Sequence, residues 1–249
     1  MRVACVLVDH FPFRLEAVRN PGLIKRPVII FQRQGSQRTV LDASPDIMGV
    51  ISGMPLGEAQ AQCKDATLIE ADMPRYKRVS DHILLQLGQW SPVVEAAGLG
   101  SAYVGLDGLE TTYGTEERLI DALIQAVPRK LEAHLGIGYG KFMSYLAATK
   151  ALPGGAYKSS EDTKVFVALF SVDVLPVTWQ VKSQLHSFGL HTLGDVANLP
   201  LGPIQAQFGK IGSRLWYLSQ GFDDSPVLPI RPNEEITESL TFAAPTATL

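Results

Sequence analysis

Carboxylates are missing from the stretch where a central strand would best mount them: Gly98 to Val104 holds neither Asp nor Glu. That absence excludes a metal site on this strand. Cysteine is nearly as scarce. Cys5 and Cys63 match no zinc spacing, and with no signal peptide in front of them they read as two reduced core thiols of a cytosolic protein. No apolar run is long enough for a membrane; Val3–Val8 is too short for a span or a signal sequence and ends on Asp9. Excess positive charge is absent too. A net charge of −3 argues against gripping nucleic acid by bulk electrostatics and leaves only a local basic face.

What is present is apolar material enough for real cores, since 249 residues at 46% hydrophobic suit one large domain or two to three small ones. Val3–Val8 reads as a buried strand that carries Asp9 to its C-terminal end, where sheets commonly place ligands. Asp9 has two readings there, a metal ligand or a strand-end residue capping the next turn. Pro27–Phe31 and Thr39–Leu41 are further strands, and Ser44-Pro45-Asp46 is expected to begin a short helix. Thr67–Ile69 is a strand, and Arg75–Gln89 is a helix with Val79, Ile83, Leu84 and Leu87 on its core face. Ala102–Leu106 is a buried strand expected to pair with Val3–Val8 in a mixed sheet, with a short strand from Leu109 to Tyr113 completing a hairpin. Thr115 caps a helix whose apolar stripe runs from Leu119 to Leu131 with a kink near Pro128. Leu135–Gly138 is a strand or tight turn, and Phe170 to Asp224 reads as small helices joined by tight turns.

Gly49 to Ala59, GVISGMPLGEA, resembles the fingers segment of the Y-family (UmuC/DinB-type) translesion DNA polymerases. Leu106-Asp107 resembles the close of that family's Ser-x-Asp-Glu-Ala-x-Leu-Asp motif, and Gly136 to Ala151 resembles a segment whose lysine approaches the nucleotide triphosphate. Phe188 to Pro200 is similar to a phrase in the family's thumb. The resemblance covers nearly the whole chain and implies an α+β polymerase core. Its expected parts are a ferredoxin-like palm with a mixed sheet (1–9 and 70–157), small α/β fingers (10–69) and an all-α, helix-hairpin-helix-like thumb (158–228). Residues 229–249 are then a linker towards a little finger that this chain lacks. Lys141 matches the triphosphate lysine; the other reading is a solvated lysine in a first helical turn. Lys182, Gly209, Lys210, Gly212 and Arg214 are the expected DNA contacts, because such hairpins present backbone N–H groups and helix N-termini to phosphate. The first hairpin, Val177 to Gln180, has no glycine, and the thumb's net charge of +2 from Pro176 to Phe222 is small. Three phosphate contacts give a salt slope of only roughly −2.7.

The departures from the family pattern bear on function. Counted back from Asp107, the family's catalytic Asp-Glu pair falls on Ala102 and Tyr103; counted forward from Glu95, it falls on Gly100 and Ser101. Asp107 cannot substitute, since five strand residues span roughly 16 Å. The fingers' triphosphate-contacting Tyr and Arg fall on Ala43 and Asp46, and an aspartate there would repel a triphosphate. In these losses the chain looks most like the ImuB-type, catalytically inactive members. That resemblance implies no enzyme and no cofactor, with Asp9 and Lys141 vestigial, and an adaptor role in damage-induced mutagenesis. Such an adaptor would bind DNA weakly and bring an error-prone polymerase and the sliding clamp together through segments beyond this chain, in the cytoplasm and away from membranes. Two alternatives stand beside it: an active translesion polymerase using Mg²⁺ in a degenerate site, and a plain helix-hairpin-helix DNA-binding module.

Overall fold

The computed structural model describes residues 1–109 and 113–229. Strand β1 (Arg2–Leu7) is followed by α1 (Phe11–Arg19), which starts well because Pro12 needs no N–H in a first turn. A 3₁₀ turn at Pro21–Lys25 leads to β2 (Val28–Gln34), β3 (Gln37–Ala43), α2 (Leu56–Gln62) and β4 (Thr67–Glu70). Then come α3 (Met73–Gly88), β5 (Val94–Gly98), β6 (Ser101–Gly105), α4 (Glu116–Gln125), β7 (His134–Tyr139), α5 (Lys141–Lys150) and β8 (Ala156–Lys158). The chain continues as helices: α6 (Thr163–Ala168), α7 (Trp179–Ser187), α8 (Leu193–Ala197) and α9 (Leu201–Ser219).

Two sheets organise the first part. One has the order β5-β6-β1-β7-β8 and the other β3-β2-β4. In the larger sheet β1 runs antiparallel to both neighbours, with Val3 opposite Gly105 and Leu7 opposite both Ser101 and His134, while β7 and β8 are parallel. The expected pairing of β1 with the 102–106 strand is therefore present in a mixed sheet. The two-residue period of a strand divides β1 between two cores. Ala4, Val6 and Val8 join the cluster under α3 and α4, whereas Cys5 and Leu7 pack with Ala148 of α5 on the opposite face. The smaller sheet has its own core, including Ile29, Val40, Met54 and Ala59. Helices α6 to α9 share a fourth, built with Phe142, Met143 and Leu146 of α5.

Several sequence expectations need correction. The hairpin partner of β6 is β5, which precedes it; the Leu109–Tyr113 strand falls partly outside the described residues, as do residues 230–249 of the linker. Ser44-Pro45-Asp46 forms a turn, with Ser44 Oγ accepting from Val28 N–H, so its hydroxyl serves the sheet instead of a helix. Helix α4 stops at Gln125, and Arg129–Leu131 is a separate 3₁₀ turn, because Pro128 cannot continue a helical ladder. Cys5 is buried but Cys63 is only partly so.

The sheet and α5 approach so closely that no side chain fits between them at Gly136. A Cβ there would lie 2.0 Å from Ala148 N and 2.1 Å from Ser144 O. Gly136→Ala is expected to cost about 3 kcal/mol or more, since backbone on both sides must move. Gly202→Ala in the first turn of α9, where a Cβ meets nothing within 4 Å, should be neutral or stabilising by up to about 1 kcal/mol. Urea unfolding of the two variants checks the contrast.

Candidate functional site

A cleft of about 540 Å³ opens where β1, β5 and β6 face the start of α5 and the C-terminal helices. Leu7, Ser101 and Tyr103 form its floor, and Glu95, Lys141 and Asp223 its charged wall. Lys141, the first residue of α5, donates from Nζ to both Glu95 oxygens at 2.9 and 3.1 Å and lies 5.7 Å from the Tyr103 ring centroid. Burial pushes the Tyr103 hydroxyl well above its usual range, so it stays a neutral donor. Burial likewise holds the Cys5 thiol protonated, up to about 12.

The structure keeps Asp9 and Asp107 out of this cleft. β1 presents Leu7 to it, and Asp9 lies beyond the strand end, outside the cleft lining. The Asp9 carbonyl accepts from Arg14 Nε at 2.8 Å, and its carboxylate stays 3.8 Å from His134 Nε2. Val8 N–H donates to Gly100 O at 2.9 Å and Leu7 pairs with Ser101, so Gly100 and Ser101 stand opposite the end of β1. No side chain can occupy position 100 in this packing. A Cβ there would come 2.4 Å from Phe11 Cγ, on a backbone with φ +70°. Asp107 is at the other end of β1, accepting from Arg2 N–H.

Asp46, expected on the triphosphate path, instead lines a groove with Phe13, Arg14 and Lys130, while Ala43 is buried. The repulsion argument therefore falls. What sequence reading missed is Asp42 on β3. Its carboxylate accepts from His10 Nδ1 and from Phe13 N–H, both at 3.0 Å, and so caps α1 from another element. His10 adopts a left-handed φ of 51°.

Of the expected DNA contacts, Lys182 and Arg214 line the same cleft as Lys141, the expected triphosphate lysine. Lys182 is half-buried and donates to Asp173 O at 2.5 Å; burial lowers its pKa against the opposing Asp173 charge. Gly209, with φ 60° and ψ −138°, breaks α9 into two helices and faces open space, and Lys210 is exposed beside it. Gly212 is buried instead, because a Cβ there would sit 2.4 Å from Ile204 O; it lets two helices touch and is not a phosphate contact. The first hairpin is covered. Trp179 Cβ lies 3.3 Å from where a Gly53 Cβ would be, so this helix start packs on the β3–α2 loop. His186 bridges Asp173 at 2.9 Å and His191 at 3.0 Å on the surface of the helical part.

The family model described as "impB/mucB/samB family" matches residues 6–149, and that of "DNA polymerase-iota, thumb domain" matches residues 174–223. Among curated relatives, "DNA polymerase IV" of Dehalococcoides mccartyi (strain CBDB1) is 28% identical over 98% of this chain, which spans 64% of that relative's length. "DNA polymerase IV" of Xanthomonas euvesicatoria pv. vesicatoria (strain 85-10) is 28% identical over 97% of this chain and 69% of its own. The solved "Crystal Structure of DinB from Sulfolobus solfataricus" is similar with a TM-score of 0.67, at 23% identity, over 91% of this chain and 69% of that one. The "Insertion ternary complex of Dbh DNA polymerase" follows with a TM-score of 0.64 and 22% identity, over the same shares. These likenesses establish an α+β Y-family polymerase fold with a thumb. They also correct the expectation of a non-enzyme, since the curated relatives are named as DNA polymerases.

The Asp42 contact carries its own test. The hydrogen bond to Asp42 raises His10 above its ordinary 6.5, burial opposes it, and the Asp42 and Asp9 charges add to the rise. A raised folded value means that the stabilisation is full below 6.5 and is lost as pH rises through the folded pKa. Asp42→Asn should bring the His10 titration back towards or below 6.5, read from its ring-proton shifts by NMR; an unchanged titration would remove Asp42 as the cause.

Proposed function

The chain belongs to the impB/mucB/samB family, and from that premise we propose that it is the core of a Y-family DNA polymerase that acts on primer–template DNA. The observation that carries the reading is the alignment of 98% of the chain with a protein named DNA polymerase IV. Nucleotidyl transfer enters from those relatives and not from the cleft. Phosphoryl transfer of this kind uses divalent ions anchored by several carboxylates. The residues here do not fit such ions: Leu7, Gly100 and Ser101 stand where ligands would be needed, and the described residues contain no group of three potential ligands. No step is therefore routed through a metal.

What the chain's own residues contribute is a place for the nucleic acid. The Gly209–Lys210 turn offers open backbone and one exposed cation to a phosphate, with a helix starting just after it. Arg214 and Lys182 turn their charge towards the cleft. Partnership with a sliding clamp and a second polymerase rests on the sequence resemblance alone.

The reading is tested by primer extension beside a DNA-binding titration on one preparation. Expected are sequence-independent binding with a salt slope no steeper than roughly −2.7 and a several-fold loss of affinity in Lys210→Ala; incorporation with added Mg²⁺ or Mn²⁺ is the arm that separates the lineage from the cleft, expected from the named relatives and not from these residues. Binding without incorporation would return a DNA-binding module. Loss of both would end the reading.

A further inference from the structure

The cleft's positive charge is already answered by the chain itself. Lys141, Lys182 and Arg214 line it, and so do Glu95, Asp173 and Asp223. Two of these carboxylates belong to one arrangement. Past α9 the chain turns at Gly221 and returns to the sheet, where Asp223 Oδ2 accepts from Phe142 N–H at 2.8 Å, at the start of the ten-residue α5. Asp223 Oδ1 accepts from Ser225 N–H, which fixes the turn. Gly140 (φ +83°) leaves room for the Asp223 carbonyl, which would lie 2.8 Å from a Cβ at that position. Val227 is buried, and Leu228 N–H donates to Glu95 Oε2 at 2.7 Å. That same Glu95 carboxylate holds Lys141, in a pair only 15% and 21% exposed.

We propose that residues 223–228 are an autoinhibitory strap. It spans from the N-terminus of α5 to β5, and its two anchoring carboxylates sit where the cleft would otherwise attract a phosphodiester backbone. A carboxylate at a helix N-terminus and one on a lysine are both favourable, so the strap is stable while no other anion competes. A nucleic-acid phosphate that reaches Lys141 must displace Glu95, and one that reaches the Phe142 N–H must displace Asp223. Glu95 also bonds Leu228, so releasing Lys141 loosens the end of the strap. Coupling runs both ways: whatever frees the strap tightens binding of the polyanion, by the same factor. The choice of DNA as the competing anion rests on the proposed function; the strap does not.

The test uses Glu95→Gln, which keeps size and removes charge, and Asp223→Ala. Hydrogen exchange without any ligand should speed up at least tenfold at the Leu228 amide and through residues 222–227 in Glu95→Gln. In Asp223→Ala the Phe142 amide should speed up likewise. A primer–template duplex should bind each variant about three- to tenfold more tightly than the parent, with a salt slope steeper by roughly 0.9 for each cation freed. Saturating duplex should raise exchange at Phe142 and Leu228 in the parent. DNA affinity that is unchanged or lower in Glu95→Gln, or strap amides that stay protected with duplex bound, would overturn the proposal. If no form binds DNA, exchange decides alone: Leu228 speeding up without residues 222–227 would show that no strap exists.

Discussion

Gly136 has no side chain, and the backbone of α5 fills the space that one would take. This contact between β7 and α5 fixes most of what matters in the molecule. It holds α5 flat on one face of the larger sheet, which is why Cys5 and Leu7 are buried against Ala148. Ser144 reinforces the approach by donating its hydroxyl to Val3 O of β1 at 2.8 Å. The outer face of the same helix supplies Phe142, Met143 and Leu146 to the C-terminal core. The helical part is thus set by the same element that puts Lys141 at the cleft. A shift of α5 would move the cation, the floor under it and the helices beyond it together.

Lineage and local chemistry pull in different directions at that cleft. The fold and relatives are those of DNA polymerases, yet β1 ends on Leu7 and the facing strand begins with Ser101. The vacancy of carboxylates is built into the packing, because Phe11 occupies the volume that any side chain at position 100 would need. Restoring a carboxylate at position 100 would mean repacking α1 as well as changing a residue. The acidic groups that remain nearby serve structure: Asp42 caps α1 and holds His10, and Glu95 holds Lys141 and Leu228. Each already has donors in place.

Sequence pattern revealed what depends on local periodicity. Val3–Val8 and the 102–106 run were readable because both faces of a central strand are apolar, and the α3 stripe was readable because helical spacing puts Ile83 and Leu87 on one side. The phrases Ser52 to Leu56 and Phe188 to Pro200 carried the family. Long-range partners left no such trace. Glu95 and Lys141 lie 46 positions apart and Asp42 and His10 lie 32 apart, and nothing in either neighbourhood names the other. Counting from a motif placed Asp46 on a triphosphate path that it does not line, since position in a loop says little about which side of α1 the loop faces. Two glycines three apart looked like one hairpin device, but only the first is open; the second exists for a helix contact. Helix α4 was misplaced at its end, where a proline decides, and the hairpin partner of β6 was sought after it instead of before, where a tight turn decides and periodicity carries no information.

The same distinction between charge in a sequence and charge in space governs the helical part. A net charge of +2 counts every cation as if it faced outward. Lys182 donates a hydrogen bond to Asp173 O, and Arg214 lines the cleft with Asp223, which leaves Lys210 as the cation standing beside open backbone at Gly209. The other hairpin cannot compensate, because Trp179 is pressed against the Gly53 loop. An incoming strand therefore meets a surface whose attraction is mostly spent internally. On the strap proposal its grip depends on contacts that open with it, the release of Glu95 from Lys141 foremost.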